Sequence, residues 1–217
     1  MLLPADSNIP SESTIEHLSN HYILMLLNSK RAWIVTPTRN EERKLGYDAA
    51  MRNTKAAVIQ YKRIARINVD GSVSITINAQ QHRNLVQLFQ QVNAPYAFFA
   101  FSDYQSYKQL DGDYRSTGSP EFFRHTLFVD IHAFPVGCTT LRLFTNGDLQ
   151  AHRHQQIYSS PMSYWRGPEF VAEFSGCRIG NLAAAIAEIA ESAEIAVEDA
   201  YTRASVLLWE LSSRDAI

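Results

Sequence analysis

Apolar residues recur along the chain with two different periods. Ile15, Leu18, Tyr22, Met25 and Leu26 stand at helical spacing, which predicts a helix over residues 14–28 with one buried stripe. Ser13 and Glu16 read as a capping box at its start, each side chain reaching a free amide of the first turn. Residues 32–36 form a short β-rich run stopped by Pro37, and residues 46–50 read as a further extended segment. A hairpin turn is expected at residues 52–54, and the apolar, β-branched stretch 56–61 (AAVIQY) reads as a central strand. Val73, Ile75 and Ile77 alternate with Ser and Thr as a half-buried strand does, and residues 79–92 place Leu85, Leu88, Phe89 and Val92 on one helical face. Residues 96–101, 127–131 and 140–144 read as strands. Residues 103–121 are polar, contain Gly112, Gly118 and Pro120, and read as a long loop. Residues 145–180 follow neither period, residues 181–203 are Ala-rich and helical, and a shorter helix is expected to about Ser212.

This order predicts an α/β fold around one mixed sheet. Residues 1–13 read as a flexible start, residues 14–180 as the core, and residues 181–217 as a C-terminal helical extension of the same domain.

Composition narrows the class. A chain of 217 residues, 46% hydrophobic and 11% aromatic, buries a core, which excludes global disorder. Its apolar runs fall well short of the roughly 18 residues needed to span a bilayer, so no membrane association is expected. The first residues show no basic segment followed by an apolar one, and Cys138 and Cys177 are too few for a disulfide framework or a four-ligand zinc site. A reducing, cytoplasmic setting is the expectation.

The charge is unevenly spread. Residues 30–66 hold ten bases and three acids, whereas residues 181–217 hold seven acids and two bases. A basic stripe of this kind is the footprint of a polyanion site, and the acidic tail is expected to face away from nucleic acid.

The chemistry concentrates in Gly46-Tyr47-Asp48, eleven intervening residues, and Gln60-Tyr61-Lys62. Gln60 and Lys62 stand two apart on a strand and so project from one face. If the segment ending at Asp48 pairs with that strand as a hairpin, the three side chains converge. A carboxylate there suits a hard divalent cation, and magnesium needs only one or two. A neighbouring lysine can orient a metal-activated water and offset charge on a phosphate.

The pattern resembles the PD-(D/E)XK nuclease superfamily, the restriction-endonuclease-like fold, and within it the Mrr-type variant in which Gln replaces the second acid. The resemblance covers residues 14–101 in motif order. It implies a mixed central sheet flanked by helices and Mg²⁺- or Mn²⁺-dependent hydrolysis of DNA in defence or restriction. It also implies Asp48 as metal ligand, joined by Glu16 from the preceding helix and by Gln60, with Lys62 beside the attacking water. Glu41 or Glu42 stands as an alternative to Glu16. Arg39, Lys44 and Arg63 are the expected nucleic-acid contacts. Because Gln60 is neutral, the rival reading is a catalytically silent subunit of the same fold that binds nucleic acid or a protein. Self-association or partner binding would then fall to the acidic C-terminal helices.

Other candidates are weaker. His17 and His21 lie four apart without a metalloprotease pattern, His152 and His154 read as a solvated loop, Asp111-Gly112-Asp113 as a turn, and the aromatic run 96–101 as core.

Overall fold

A computed structural model describes residues 8–27, 32–35, 54–89, 97–117, 121–153, 156–158, 162–176 and 204–210. In chain order these form α1 (Glu12–Leu27), β1 (Ala32–Val35), β2 (Thr54–Tyr61), β3 (Ile64–Ile67), β4 (Val73–Thr76), α2 (Ala79–Phe89) and β5 (Ala97–Ser102). They continue as α3 (Tyr107–Thr117), α4 (Glu121–Arg124), β6 (Thr126–Asp130), β7 (Thr140–Leu143), β8 (Leu149–Arg153), β9 (Gln156–Tyr158), β10 (Trp165–Arg166), α5 (Gly167–Gly176) and β11 (Ala204–Glu210).

The fold is mixed α/β with two sheets, where one was expected. The first has the order β1-β11-β2-β5-β6-β10, and the second the order β3-β4-β7-β8-β9. Within the first sheet β2 and β5 run parallel and the other pairs are antiparallel. Only Lys62 and Arg63 separate β2 from β3, so the chain crosses from one sheet to the other there.

Strict alternation along β5 builds two cores. Ala97, Phe99 and Phe101 face the second sheet, with Val58, Ile75, Leu85, Leu127, Val129 and Leu141. Phe98 and Ala100 face the helices, with Ile15, Ile23, Ile59, Tyr61, Phe122, Phe128 and Phe170. Strands covered on both faces carry apolar runs, as β5 does over Ala97–Phe101 and β2 over residues 56–59. The helix-side core is aromatic: Phe128 stacks on Phe170 with centroids 4.0 Å apart, and Tyr104 stacks on Phe122 at 5.8 Å. Each such ring contributes roughly 2–3 kcal/mol by leaving water. At the start of α5, Gly167 is the only residue type that fits, because a Cβ would stand 2.3 Å from the Phe123 carbonyl oxygen.

Three further sequence expectations are corrected. Within the expected loop of residues 103–121, residues 107–117 form helix α3, because Tyr107 and Leu110 share a helical face and Leu110 is buried. Residues 204–210 are a strand rather than part of a helical extension, and β11 lies between β1 and β2 with Val206 opposite both Val35 and Val58. The N-cap of α1 is Ser11 rather than Ser13: Thr14 N donates to Ser11 Oγ at 3.2 Å, and the Ser13 carbonyl instead accepts from His17 Nδ1. Ser11 and Thr14 both bond Tyr107 Oη, which ties the start of α1 to α3. The expected helix over 181–203 and the extended segment 46–50 lie outside the described residues. However, β2 is bonded by β11 over Thr54–Gln60 on one edge and by β5 over Val58–Tyr61 on the other, so the hairpin expected between residues 46–50 and this strand has no free edge to form on. None of the described helices is long and apolar enough to cross a membrane.

Candidate functional site

Both members of the Gln-x-Lys pair are described, at the C-terminal edge of the parallel pair β2–β5. Val58 points to the second sheet and Ile59 and Tyr61 to the helices, so alternation turns Gln60 and Lys62 toward the side that α2 covers. The Lys62 backbone amide extends the ladder by donating to the Ala100 carbonyl at 2.8 Å.

Gln81 of α2 joins the two side chains. Its Nε2 donates to Gln60 Oε1 at 2.7 Å, and its Oε1 accepts from Lys62 Nζ at 3.2 Å. Gln60 and Gln81 are 2% and 4% exposed, so the relay sits in the protein interior. The first turn of α2 is fixed where this happens. Asn78 Oδ1 caps it, accepting from Gln80 N at 2.9 Å and Gln81 N at 3.0 Å. His82, wholly buried, donates from Nε2 to the Ile131 carbonyl at 2.6 Å and packs its ring 4.5 Å from Phe134.

Burial lowers the proton affinity of the Lys62 ammonium below the ordinary lysine value, and the negative field of Glu12 opposes this in part. Lys62, Arg63 and Ile64 line a shallow crevice with Ile9, Pro10, Ile15, Ser102 and Tyr104, between the end of the sheet and the start of α1.

Glu16 lies on the other side of the sheet from the Gln60 side chain. It is buried on α1, and its carboxylate, after burial itself, holds the Tyr61 phenol well above the ordinary tyrosine range. Tyr61 Oη donates to Asn20 Oδ1 at 2.8 Å. The structure thus brings Gln60 and Lys62 together and sets Glu16 against the intervening Tyr61. Arg63 is exposed directly after Lys62. Asp48, Glu41, Glu42, Arg39 and Lys44 lie outside the described residues.

A second polar cluster begins one residue past β5. His125 Nδ1 donates to Asp103 Oδ1 at 2.6 Å, and its Nε2 stands 3.7 Å from Asp113 Oδ2. Tyr104 Oη donates to the same Asp113 oxygen at 2.8 Å, and Arg166 stands 3.6 Å from Asp103 Oδ2. Bonding to Asp103 raises the His125 pKa above the ordinary histidine value against the pull of burial. Asp111 and Asp113 therefore lie on helix α3 rather than in a turn, and Asp111 pairs with Arg115. His17 and His21 are exposed on α1, and His152 is half-buried on β8 rather than in a solvated loop. Sequence reading missed Gln81 and the His125 cluster, because both form between elements far apart in the chain.

The described residues supply only part of a metal site. Among them no group of three or more His, Cys, Asp and Glu is placed to hold an ion. Gln60 Oε1 is a neutral oxygen donor, and Gln81 takes one of its two acceptor positions. A hard divalent cation needs carboxylate oxygen as well. Of the expected ligands, the described residues bring Gln60 Oε1 to this place and set Glu16 on the other side of the sheet, so they supply a neutral donor and not the carboxylate that a magnesium shell needs.

Comparison with protein-family models, with curated proteins and with solved structures finds no match to this chain.

Proposed function

We propose that the chain is a divalent-metal-dependent DNA hydrolase on a restriction-endonuclease-like sheet, with β2 as the strand that carries its working pair. The observation behind this reading is the convergence of Gln60 and Lys62 on one buried amide, Gln81, at 2.7 and 3.2 Å. A half-buried ammonium bonded to a buried amide is partly desolvated, which is the setting in which working side chains are found. Its lowered proton affinity brings Lys62 nearer to the range in which a side chain exchanges a proton with water or a leaving group.

Asp48 and Gln60 would hold Mg²⁺ or Mn²⁺, which when bound supplies an activated water and offsets charge on the phosphate. Lys62 then orients the attacking water and faces the charge that develops on phosphate. Arg63, exposed beside it, meets the nucleic-acid backbone and carries register rather than sequence.

One observation favours a second reading, a subunit of the same fold that binds nucleic acid without cutting it. Gln60 is neutral and its oxygen is already hydrogen-bonded inside the protein.

Supercoiled plasmid incubated with Mg²⁺ or Mn²⁺ separates the two. The parent is expected to nick and linearise it, and Lys62→Ala and Asp48→Ala to lose that activity while still melting cooperatively. A folded Lys62→Ala protein that cuts as fast as the parent would falsify the site. A parent that binds DNA yet cuts with neither metal leaves the silent subunit as the reading.

A further inference from the structure

We infer that Gln81, which is outside the Gln-x-Lys pair, is the positioning residue of this site and dictates which way the Gln60 amide points. The inference rests on the reading of Lys62 as the working lysine.

The direction of the relay follows from donor and acceptor inventory. An ammonium has three donors and no acceptor, so the Gln81 atom facing Lys62 Nζ has to be the carbonyl oxygen. The Gln81 NH₂ group is thereby turned to Gln60, and the atom that Gln60 presents to it has to be its oxygen. Lys62 thus orients two amides in series. Reversing either one would set N–H against N–H in a buried place, which costs on the order of 1–3 kcal/mol per unsatisfied group.

The backbone under Gln81 resists adjustment. Asn78 caps the turn from below, and the neighbouring His82 is bonded to the Ile131 carbonyl at the end of β6. Gln81 is 4% exposed, so its side chain has little room for another rotamer. Gln60 Oε1 therefore stays on the α2 side of the strand. A group that approaches Gln60 from the sheet edge meets an amide of fixed orientation and an ammonium held beside it. Outer-shell partners of this kind act through the residues they hold, and their removal lowers activity about 10–100-fold.

Two substitutions separate the two halves of the relay. Gln81→Glu keeps an oxygen for Lys62 and loses the donor to Gln60, whereas Gln81→Met loses both. Plasmid cleavage should fall about 10–100-fold in Gln81→Met with little change in the KM for DNA, and Gln81→Glu should lie between it and the parent. A second readout is independent of cleavage. In ¹⁵N-labelled parent protein, the Gln81 side-chain amide protons should exchange with water far more slowly than those of exposed Gln80. The Gln60 side-chain amide signal should move in both variants.

Solvent-rate exchange of the Gln81 amide in the parent overturns the relay even if either variant fails to fold. Cleavage by folded Gln81→Met within about twofold of the parent overturns the positioning role, while loss of cleavage in Lys62→Ala still supports the function. If the parent itself does not cut, the exchange measurement alone decides whether the relay exists.

Discussion

His125 donates through Nδ1 to Asp103 at 2.6 Å, and this bond ties the exit of β5 to the entry of β6. The Asp103 backbone amide returns the tie by donating to the His125 carbonyl at 3.1 Å. Asp113 from α3 and Arg166 from β10 complete the cluster, with Tyr104 bonded to Asp113 and Glu121 nearby.

The first prediction follows from the raised pKa of His125. The stabilisation from the charged imidazole is fully present below the unfolded value of about 6.5. It is lost as pH rises through the folded value, where the folded state gives up its extra proton. His82 and His152 are lowered mainly by burial and act in the opposite sense below that pH, so the parent curve alone is a mixture. Urea midpoints measured from pH 5.5 to 9 for the parent and His125→Gln isolate the effect of this one side chain. The stability advantage of the parent should shrink as pH rises, and an advantage that grew would contradict the assignment.

Two glycines should respond with opposite signs. Gly167→Ala puts a methyl 2.3 Å from the Phe123 carbonyl oxygen and 2.5 Å from its ring, in a buried place. Overpacking of this kind costs about 1–3 kcal/mol. Gly112 lies inside α3 with nothing within 4 Å of its added Cβ. Gly112→Ala should stabilise by about 0.5–1 kcal/mol, because alanine loses less backbone freedom in a helix. Thermal melts of both variants against the parent check the pair.

The cap of α1 gives a third contrast. Ser11 Oγ accepts from Thr14 N and lies 2.9 Å from Thr14 Oγ1, so Ser11→Ala should cost about 1 kcal/mol. Ser13, inside the helix, should tolerate alanine within about 0.5 kcal/mol. Equal losses at both positions in chemical denaturation would restore the capping box read from sequence.

The reach of the sequence pattern can be judged element by element. Helix α2, strand β5 and the alternating β4 were legible because their apolar spacing is set by local geometry. That Gln60 and Lys62 share a face was legible too, since two residues on a strand fix it. Gln81 was not, because its partners lie on a strand about twenty residues earlier, and nothing local marks Gln81 apart from Gln80. Strand β11 was misread because Val206-Leu207-Leu208-Trp209 suits a buried helix as well as a central strand, and only its two neighbours decide. Helix α3 was hidden by Gly112 and by polar composition, although Leu110 is buried against the aromatic core.

That misreading yields a fourth prediction. β11 bonds β1 on one side and β2 on the other, so its backbone groups are used on both edges. Leu207→Pro removes a donor from the middle of the ladder and costs about 3 kcal/mol or more. A chain ending at residue 203 would also strip the strand beside Gln60, which stands opposite Ala204. Neither protein should melt cooperatively. A truncated protein that kept the parent's melting curve would mean that the tail is dispensable.

The last prediction separates arginines that are available to a polyanion from one that is committed. Arg63 and Arg66 are exposed on the segment that leaves the Gln-x-Lys pair. Arg142 lies across the same sheet from Arg66, separated by Ser74, but its guanidinium is engaged. It pairs with Asp70 at 2.6 Å, donates to Ser72 Oγ at 2.8 Å and covers the Phe144 ring at 4.7 Å. Its charge is largely neutralised by Asp70, whose carboxyl is held below the ordinary range by bonds to Ser72 and by Arg142 itself. DNA binding measured between about 50 and 200 mM salt should therefore weaken on Arg63→Ala and Arg66→Ala. Removing one arginine–phosphate pair should reduce the salt slope by about 1. Arg142→Ala should leave that slope unchanged and instead loosen the β3–β4 turn, read as faster amide exchange at Asn68 and Ser72. If Arg142→Ala flattened the slope as much as Arg63→Ala does, binding would follow total charge rather than the face beside Lys62. The nucleic acid would then not be bound where the proposed chemistry needs it.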